Sequence, residues 1–205
     1  MPEFVMHNLW PTPLLEDTID VKSEWIDFAE KVEYERMASG NGFFTTNKNI
    51  LNELPDLKSE IEKKCKLYTK NVLRVSDNAN FYLQNSWIVK HLPNDGAQIH
   101  YHGGSLISGV YYLKTPENSG DIVFVKSHRH INTFDPAIRL DYDEETHINA
   151  TEYGVKSKAG KIILFPAHVD HSVQKNKSKE DRYSLAFNFF VRGKFGSEEY
   201  QLEIK

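Results

Sequence analysis

The spacing of hydrophobic positions changes once along this chain, near residue 78. Before that point Val21, Trp25, Phe28 and Val32 recur at intervals of three and four, and Leu54, Leu57, Ile61, Cys65, Tyr68 and Val72 repeat the pattern. Two amphipathic helices are expected, with Pro55 in the first turn of the second, where a missing N–H leaves no bond unmade. Between them, Ser39 to Asn47 is rich in Gly, Asn and Thr and reads as a loop.

Beyond Asn78 the apolar residues fall into short runs with β character: Phe81 to His91, Gln98 to Tyr101, Ser105 to Leu113, Asp121 to Val125, Thr151 to Lys156, Lys161 to Phe165, His171 to Gln174 and Arg182 to Val191. Turn-forming clusters separate them, such as Leu92-Pro93-Asn94-Asp95-Gly96 and Pro116-Glu117-Asn118-Ser119-Gly120. This order fits a mainly β fold with flanking helices, a closed or double-sheet jelly roll whose N-terminal helices pack outside. One domain is expected, with a helical extension over 1–77, a β core over 78–193 and a tail or short surface strand over 194–205. The stretch His128 to His147, with Arg129, Asp135, Asp141, Asp143, Glu144 and Glu145, has little periodicity and reads as a long insertion, a lid candidate.

Composition narrows the function. The 205 residues are 40% hydrophobic, enough for one sizeable core. The 25 basic and 29 acidic residues are spread along the chain, so no basic stripe marks a nucleic-acid partner. No apolar run approaches the roughly 20 residues of a membrane span, and Met1 to Trp10 lacks the pattern of an export signal; a soluble, cytoplasmic protein is expected. Cys65 is the only cysteine, so a metal site would have to use histidines and carboxylates.

Such a site is suggested by Gln98-Ile-His-Tyr-His-Gly-Gly-Ser105. His100 and His102 occupy alternate strand positions and share a face, so both imidazoles can reach one metal ion. His171, after the apolar strand ending in Phe165-Pro166, is placed to add an imidazole from a neighbouring strand. Eleven residues later, Arg182 and Ser184 share a face and interrupt an apolar strand. An inward arginine needs an anionic partner, and its planar fork suits a carboxylate. Asp181 is adjacent and faces the other way, so a dicarboxylate ligand is the simplest partner.

Two histidines one residue apart, a distal His and then Arg-x-Ser resemble the iron(II)/2-oxoglutarate oxygenase superfamily. Ser86-Trp87, His100-Tyr-His102, Leu106-Ile-Ser-Gly-Val-Tyr-Tyr-Leu113, Gly160-Lys-Ile-Ile-Leu-Phe-Pro166, His171 and Arg182-Tyr-Ser-Leu-Ala-Phe-Asn188, in that order, look like one little-characterised family of such enzymes. The resemblance implies a double-stranded β-helix (jelly roll, cupin-like), with His100 as proximal and His171 as distal iron ligand. It also implies that Arg182 and Ser184 hold the far carboxylate of 2-oxoglutarate. The cofactors implied are Fe(II), 2-oxoglutarate and O2, and the reaction implied is a dioxygenase hydroxylation of a C–H bond in an amino-acid, peptidyl or small-metabolite substrate, releasing succinate and CO2.

The sequence departs from the superfamily at His102, where the usual pattern carries Asp or Glu. Three readings are open: His102 is a third ligand, it stands beside a two-histidine site completed by water, or a carboxylate elsewhere serves, Asp121 being conceivable. Asn85, Trp87, Tyr111 and Asn188 lie on strands near the motif, and Asn85, Tyr111 and Asn188 are candidates for cosubstrate binding. His168 and Asp170 read as turn residues, and His128, His130 and His147 as solvent-facing. Two other functions compete: a three-histidine zinc hydrolase, which would not need Arg182, and a jelly-roll module that binds metal or carboxylate without turnover. The sequence leaves oligomeric state open, a homodimer included.

Overall fold

A computed structural model describes residues 5, 7, 11–38, 41–126 and 141–205. In chain order the elements are β1 (Leu15–Thr18), α1 (Ser23–Lys31), β2 (Tyr34–Arg36), β3 (Phe43–Thr45), a 3-10 turn (Ile50–Glu53), α2 (Pro55–Leu67) widening into a π turn (Tyr68–Val72), β4 (Ala79–His91), β5 (Ala97–His100) and β6 (Ile107–Lys114). They continue with β7 (Ile122–Val125), β8 (Glu152–Val155), β9 (Lys161–Pro166), β10 (His171–Val173), β11 (Arg182–Phe195), a 3-10 turn (Glu198–Tyr200) and β12 (Leu202–Ile204).

The described strands form two sheets. The larger runs β1-β9-β6-β11-β4-β3-β2, with β12 added to β11, and the smaller runs β5-β10-β7-β8. All the pairings between these strands are antiparallel. The fold is a double-stranded β-helix. Of the two β forms expected, it is the double-sheet one.

Alternation explains how the central strands bury both faces. Along β11, Tyr183, Leu185, Phe187 and Phe189 point outward into a core shared with Trp25 and Ala29 of α1 and Leu57, Ile61 and Cys65 of α2. The intervening Arg182, Ser184 and Ala186 line the cavity between the sheets. On β9, Ile162 and Leu164 join the outer core, while Ile163 and Phe165 meet Tyr112, Ile122, Phe124 and Val155 in a second cluster between the sheets. The wide spacing of Leu57, Ile61 and Cys65, all buried, is the helical stripe legible in the sequence.

Close approach fixes one glycine. A Cβ on Gly109 of β6 would lie 2.3 Å from the Phe187 ring and 2.8 Å from the Ile163 carbonyl, so only glycine lets β6 sit there between β9 and β11.

The N-terminal third differs from expectation. Its two helices are present, but β1, β2 and β3 also fold onto the larger sheet. Ser39 to Asn47 is not wholly a loop, because Phe43–Thr45 pairs with β4 through Phe43↔Lys90 and Phe44↔Val89. Residues 127–140, which hold His128, His130, Arg129 and Asp135 of the expected insertion, lie outside the described residues. No helix among the described residues is long and apolar enough to cross a membrane.

Candidate metal and dicarboxylate site

Pairing of the smaller sheet assembles the histidines. His171 on β10 is register-paired with His100 on β5, and the chain just past β5 is held by a bond from His102 N–H to the Ala167 carbonyl at 2.9 Å. One ring nitrogen from each of His100, His102 and His171 lies within 4.8 Å of the others. Imidazole nitrogens bind divalent first-row metals at about 2.1 Å, so a modest closure of the three rings would surround one ion.

Their hydrogen bonds select the tautomer this requires. His100 Nδ1 donates to the Gln98 carbonyl at 2.8 Å and His171 Nδ1 to the Val169 carbonyl at 2.9 Å. Since a carbonyl only accepts, each Nδ1 carries a proton, and in the neutral ring Nε2 keeps its lone pair for a metal. Burial pushes the pKa of His171 down to about 3 and that of His102 to about 4, each further lowered by His100, so both are neutral at pH 7.

The loop after His102 is tied down by a bulge. Asn188 pairs with Asn85 but Phe189 with Leu83, leaving Gln84 as the extra residue. Gln84 Nε2 donates to the Gly104 carbonyl at 3.2 Å, and Gln84 Oε1 accepts from the Ser105 hydroxyl at 2.7 Å. The bulge thereby spans the glycines that follow the histidine pair.

Arg182 lies further along the same cavity and is 1% exposed. Its Nη1 donates to the Ser119 and Gly120 carbonyls at 3.0 and 2.9 Å, and its Nη2 donates to His91 Nδ1. No carboxylate among the described residues pairs with it, and Asp181 is engaged by Lys90 at 3.0 Å. Its Nε is buried without a hydrogen-bond partner. A buried cation with an unmatched donor is the feature an anionic ligand would complete. Burial lowers its pKa from the ordinary arginine value, opposed by Tyr112 and Asp121.

With this geometry in place, comparison with known proteins decides the family. The family model described as "Putative 2OG-Fe(II) oxygenase" matches residues 85–188, just over half of the chain, and that span holds all three histidines together with Arg182 and Ser184. The chain belongs to this 2OG-Fe(II) oxygenase family. No curated protein matches it significantly.

Solved structures of similar shape support the fold of this oxygenase. The epimerase SnoN in complex with Fe3+, alpha ketoglutarate and nogalamycin RO is 15% identical with a TM-score of 0.63, covering 89% of this chain and 81% of that one. HygX from Streptomyces hygroscopicus with nickel, 2-oxoglutarate and hygromycin B bound is 14% identical with a TM-score of 0.55, covering 87% and 82%. A Pseudomonas putida prolyl-4-hydroxylase is 13% identical with a TM-score of 0.53, covering 89% and 94%.

The oxygenase's other candidate residues divide. Ser184 and Asn85 line the cavity with the histidines and Arg182. Asn188 is on the same face of β11 but is taken up by its neighbours: its Oδ1 accepts from the Ser108 hydroxyl at 2.7 Å and its Nδ2 donates to Asn85 Oδ1 at 2.8 Å. In that chain of bonds Asn85 Oδ1 is the acceptor, and its amide nitrogen has no hydrogen-bond partner among the described residues. Tyr111 is a correction. It faces the outer core, its hydroxyl donating to the Ile19 carbonyl at 3.2 Å and its ring against Trp25, because Ile107, Tyr111 and Leu113 share the apolar face of β6. Its neighbour Tyr112 faces the cavity instead.

Asp121 is not brought to the histidines; its Oδ1 accepts from the Ser157 N–H at 2.8 Å and shapes a turn. His168 and His147 are exposed. Sequence reasoning missed His91, although it shares strand parity with Asn85 and Trp87, and it missed Ser119, whose contribution through a turn carbonyl leaves no pattern.

Proposed function

We propose that this oxygenase hydroxylates a C–H bond of a small molecule or side chain, holding Fe(II) with His100, His102 and His171 and the far carboxylate of 2-oxoglutarate with Arg182 and Ser184. The observation that carries this reading is the pairing, in one cavity of about 540 Å3, of three converging imidazoles with a buried guanidinium that has no acid partner among the described residues. When bound, iron(II) with 2-oxoglutarate supplies dioxygen activation coupled to oxidative decarboxylation; the protein supplies position and a dry site.

Spacing supports this division of labour. The Trp87 ring lies 6.0 Å from His102, and Trp87 pairs with Ala186, four residues from Arg182. Four residues of strand are about 13 Å, a separation that an arginine side chain and an extended five-carbon dicarboxylate bridge together. A third imidazole in place of the usual carboxylate leaves the bound metal one unit more positive, which favours a dianionic cosubstrate. Zinc hydrolysis would give the unmatched Arg182 Nε no ligand to bind.

Asn85 lies beyond Trp87, on the side away from Arg182, and cannot reach the same carboxylate. Its free amide N–H, with the cavity-lining side chains of Trp87, Phe44 and Met37, suits a primary substrate with an apolar body and a hydrogen-bond acceptor. Asn85→Leu is therefore expected to leave 2-oxoglutarate affinity within about twofold, because it touches neither clamp nor ligands; a loss like that of Arg182 variants, read by calorimetry, would place Asn85 with the cosubstrate.

The activity itself is tested with iron-loaded protein, O2, ascorbate as reductant and 2-oxoglutarate labelled at the carboxylate next to the keto group. Uncoupled release of labelled CO2 with equal succinate, absent from metal-free protein, is expected even without a primary substrate. Full metal occupancy with no succinate would reject the oxygenase reading of this site.

A further inference from the structure

Arg182 is register-paired with His91 across β4 and β11, and His91 is itself 2% exposed. A guanidinium has five N–H donors and no acceptor. Nη1 uses both of its hydrogens on the Ser119 and Gly120 carbonyls, and Nη2 gives one to His91 Nδ1. Two donors remain, Nε–H and one on Nη2, on the two nitrogens that share an edge of the planar group. A carboxylate can take such an edge as a bidentate pair. Because arginine can only donate, His91 Nδ1 must be the acceptor, which makes His91 a neutral imidazole with its proton on Nε2, a buried N–H that has no hydrogen-bond partner among the described residues.

The neutrality of this partner matters. An aspartate or glutamate in its place would also hold the guanidinium but would cancel the charge that attracts an anion. An apolar residue would leave a third donor uncommitted and the group free to rotate. We propose that His91 is a positioning residue for the cosubstrate: it fixes Arg182 without neutralising it, so that the Nε/Nη2 edge is the seat of the far carboxylate. This rests on the reading of Arg182 given above. Burial pushes the His91 pKa down to about 3, with the Arg182 charge acting in the same direction, which is consistent with a permanently neutral partner.

The test compares 2-oxoglutarate with pyruvate, which presents the same 2-oxo acid to the metal but has no far carboxylate. Affinities are measured by calorimetry on anaerobic Fe(II)-loaded protein for wild type, His91→Phe, His91→Asp, His91→Asn and Arg182→Lys. A hydrogen bond to a charged group supports a loss of at least about tenfold for 2-oxoglutarate in His91→Phe and His91→Asp. His91→Asn, which keeps a neutral acceptor near Nδ1, should stay within about threefold, and pyruvate should be unchanged throughout. The nitrogen shifts of labelled metal-free protein should also show His91 protonated on Nε2. Should His91→Phe fail to fold, the contrast between Asp and Asn still decides. Equal losses for both acids would make His91 merely structural, and a tight 2-oxoglutarate complex in His91→Asp would overturn the proposal. If Arg182→Lys loses 2-oxoglutarate while the His91 variants keep it, His91 alone is misassigned. If wild type prefers neither acid, the Arg182 reading fails as well.

Discussion

Replacing His171 with alanine is expected to lower Fe(II) affinity by more than about 100-fold, beyond the range seen when only a group supporting a ligand is lost. His171 is the most enclosed of the three histidines, 4% exposed, and its ring packs against His100 at 4.3 Å and Phe165 at 4.9 Å between centroids. Its Nδ1–H is fixed by the Val169 carbonyl, so the ring arrives already oriented. Two imidazoles on one strand end, His100 exposed and His102 half-buried, would remain. His168→Ala, three residues away on the exposed turn, should leave iron binding unchanged. Competition titration against a chromogenic chelator reads both variants; iron binding by His171→Ala at wild-type strength would remove this residue from the ligand set.

The second large effect is at Arg182. Arg182→Lys is expected to weaken 2-oxoglutarate binding by about 30-fold or more, since truncating one partner of a buried, hydrogen-bonded charge pair costs about 2–5 kcal/mol, while iron affinity changes little. A lysine keeps the charge but presents a point rather than a fork, and it cannot donate at once to the Ser119 and Gly120 carbonyls, His91 and a carboxylate. Arg182→Met should add a stability loss, because those two carbonyls lose their donor in a buried setting. Calorimetric titration of iron-loaded protein and thermal melts check the pair. An unchanged 2-oxoglutarate affinity in Arg182→Lys would mean that the buried cation serves only the turn at Ser119 and Gly120.

Much of this site was legible because strand alternation acts locally. Arg182 and Ser184 share a face of β11 whatever the rest of the chain does, while His102 lies just past the end of β5 and is held on the side of His100 by its bond to Ala167, and all four line the cavity. The eight β runs beyond residue 78 are all strands, and in β6 and β9 the apolar residues alternate between an outer core and an inner one. Where alternation was ambiguous, the reading went astray. Tyr111 and Tyr112 are adjacent aromatics, and only the company each keeps separates them. Tyr111 goes with Ile107 and Leu113 toward the helices, and Tyr112 goes with Ser108 and Val110 toward the site. Tyr34–Arg36 and Phe43–Thr45, three residues each, show too few alternations to stand out between two helical stripes. Phe43–Thr45 pairs with β4, 47 residues away in sequence for Phe43↔Lys90, and Tyr34–Arg36 pairs with Phe43–Thr45 in turn. His91 joins Arg182 through register between distant strands, and Ser119 through a backbone carbonyl, neither of which leaves a spacing to read.

The most direct test of the central claim is the visible spectrum of anaerobic Fe(II)-loaded protein as 2-oxoglutarate is added. The account predicts a weak metal-to-ligand charge-transfer band that saturates at one equivalent of iron, is lost in His171→Ala, and needs far more 2-oxoglutarate in Arg182→Lys. Saturating iron and 2-oxoglutarate with no such band in the wild-type protein would contradict it, because the three histidines and the arginine would then not hold metal and cosubstrate together.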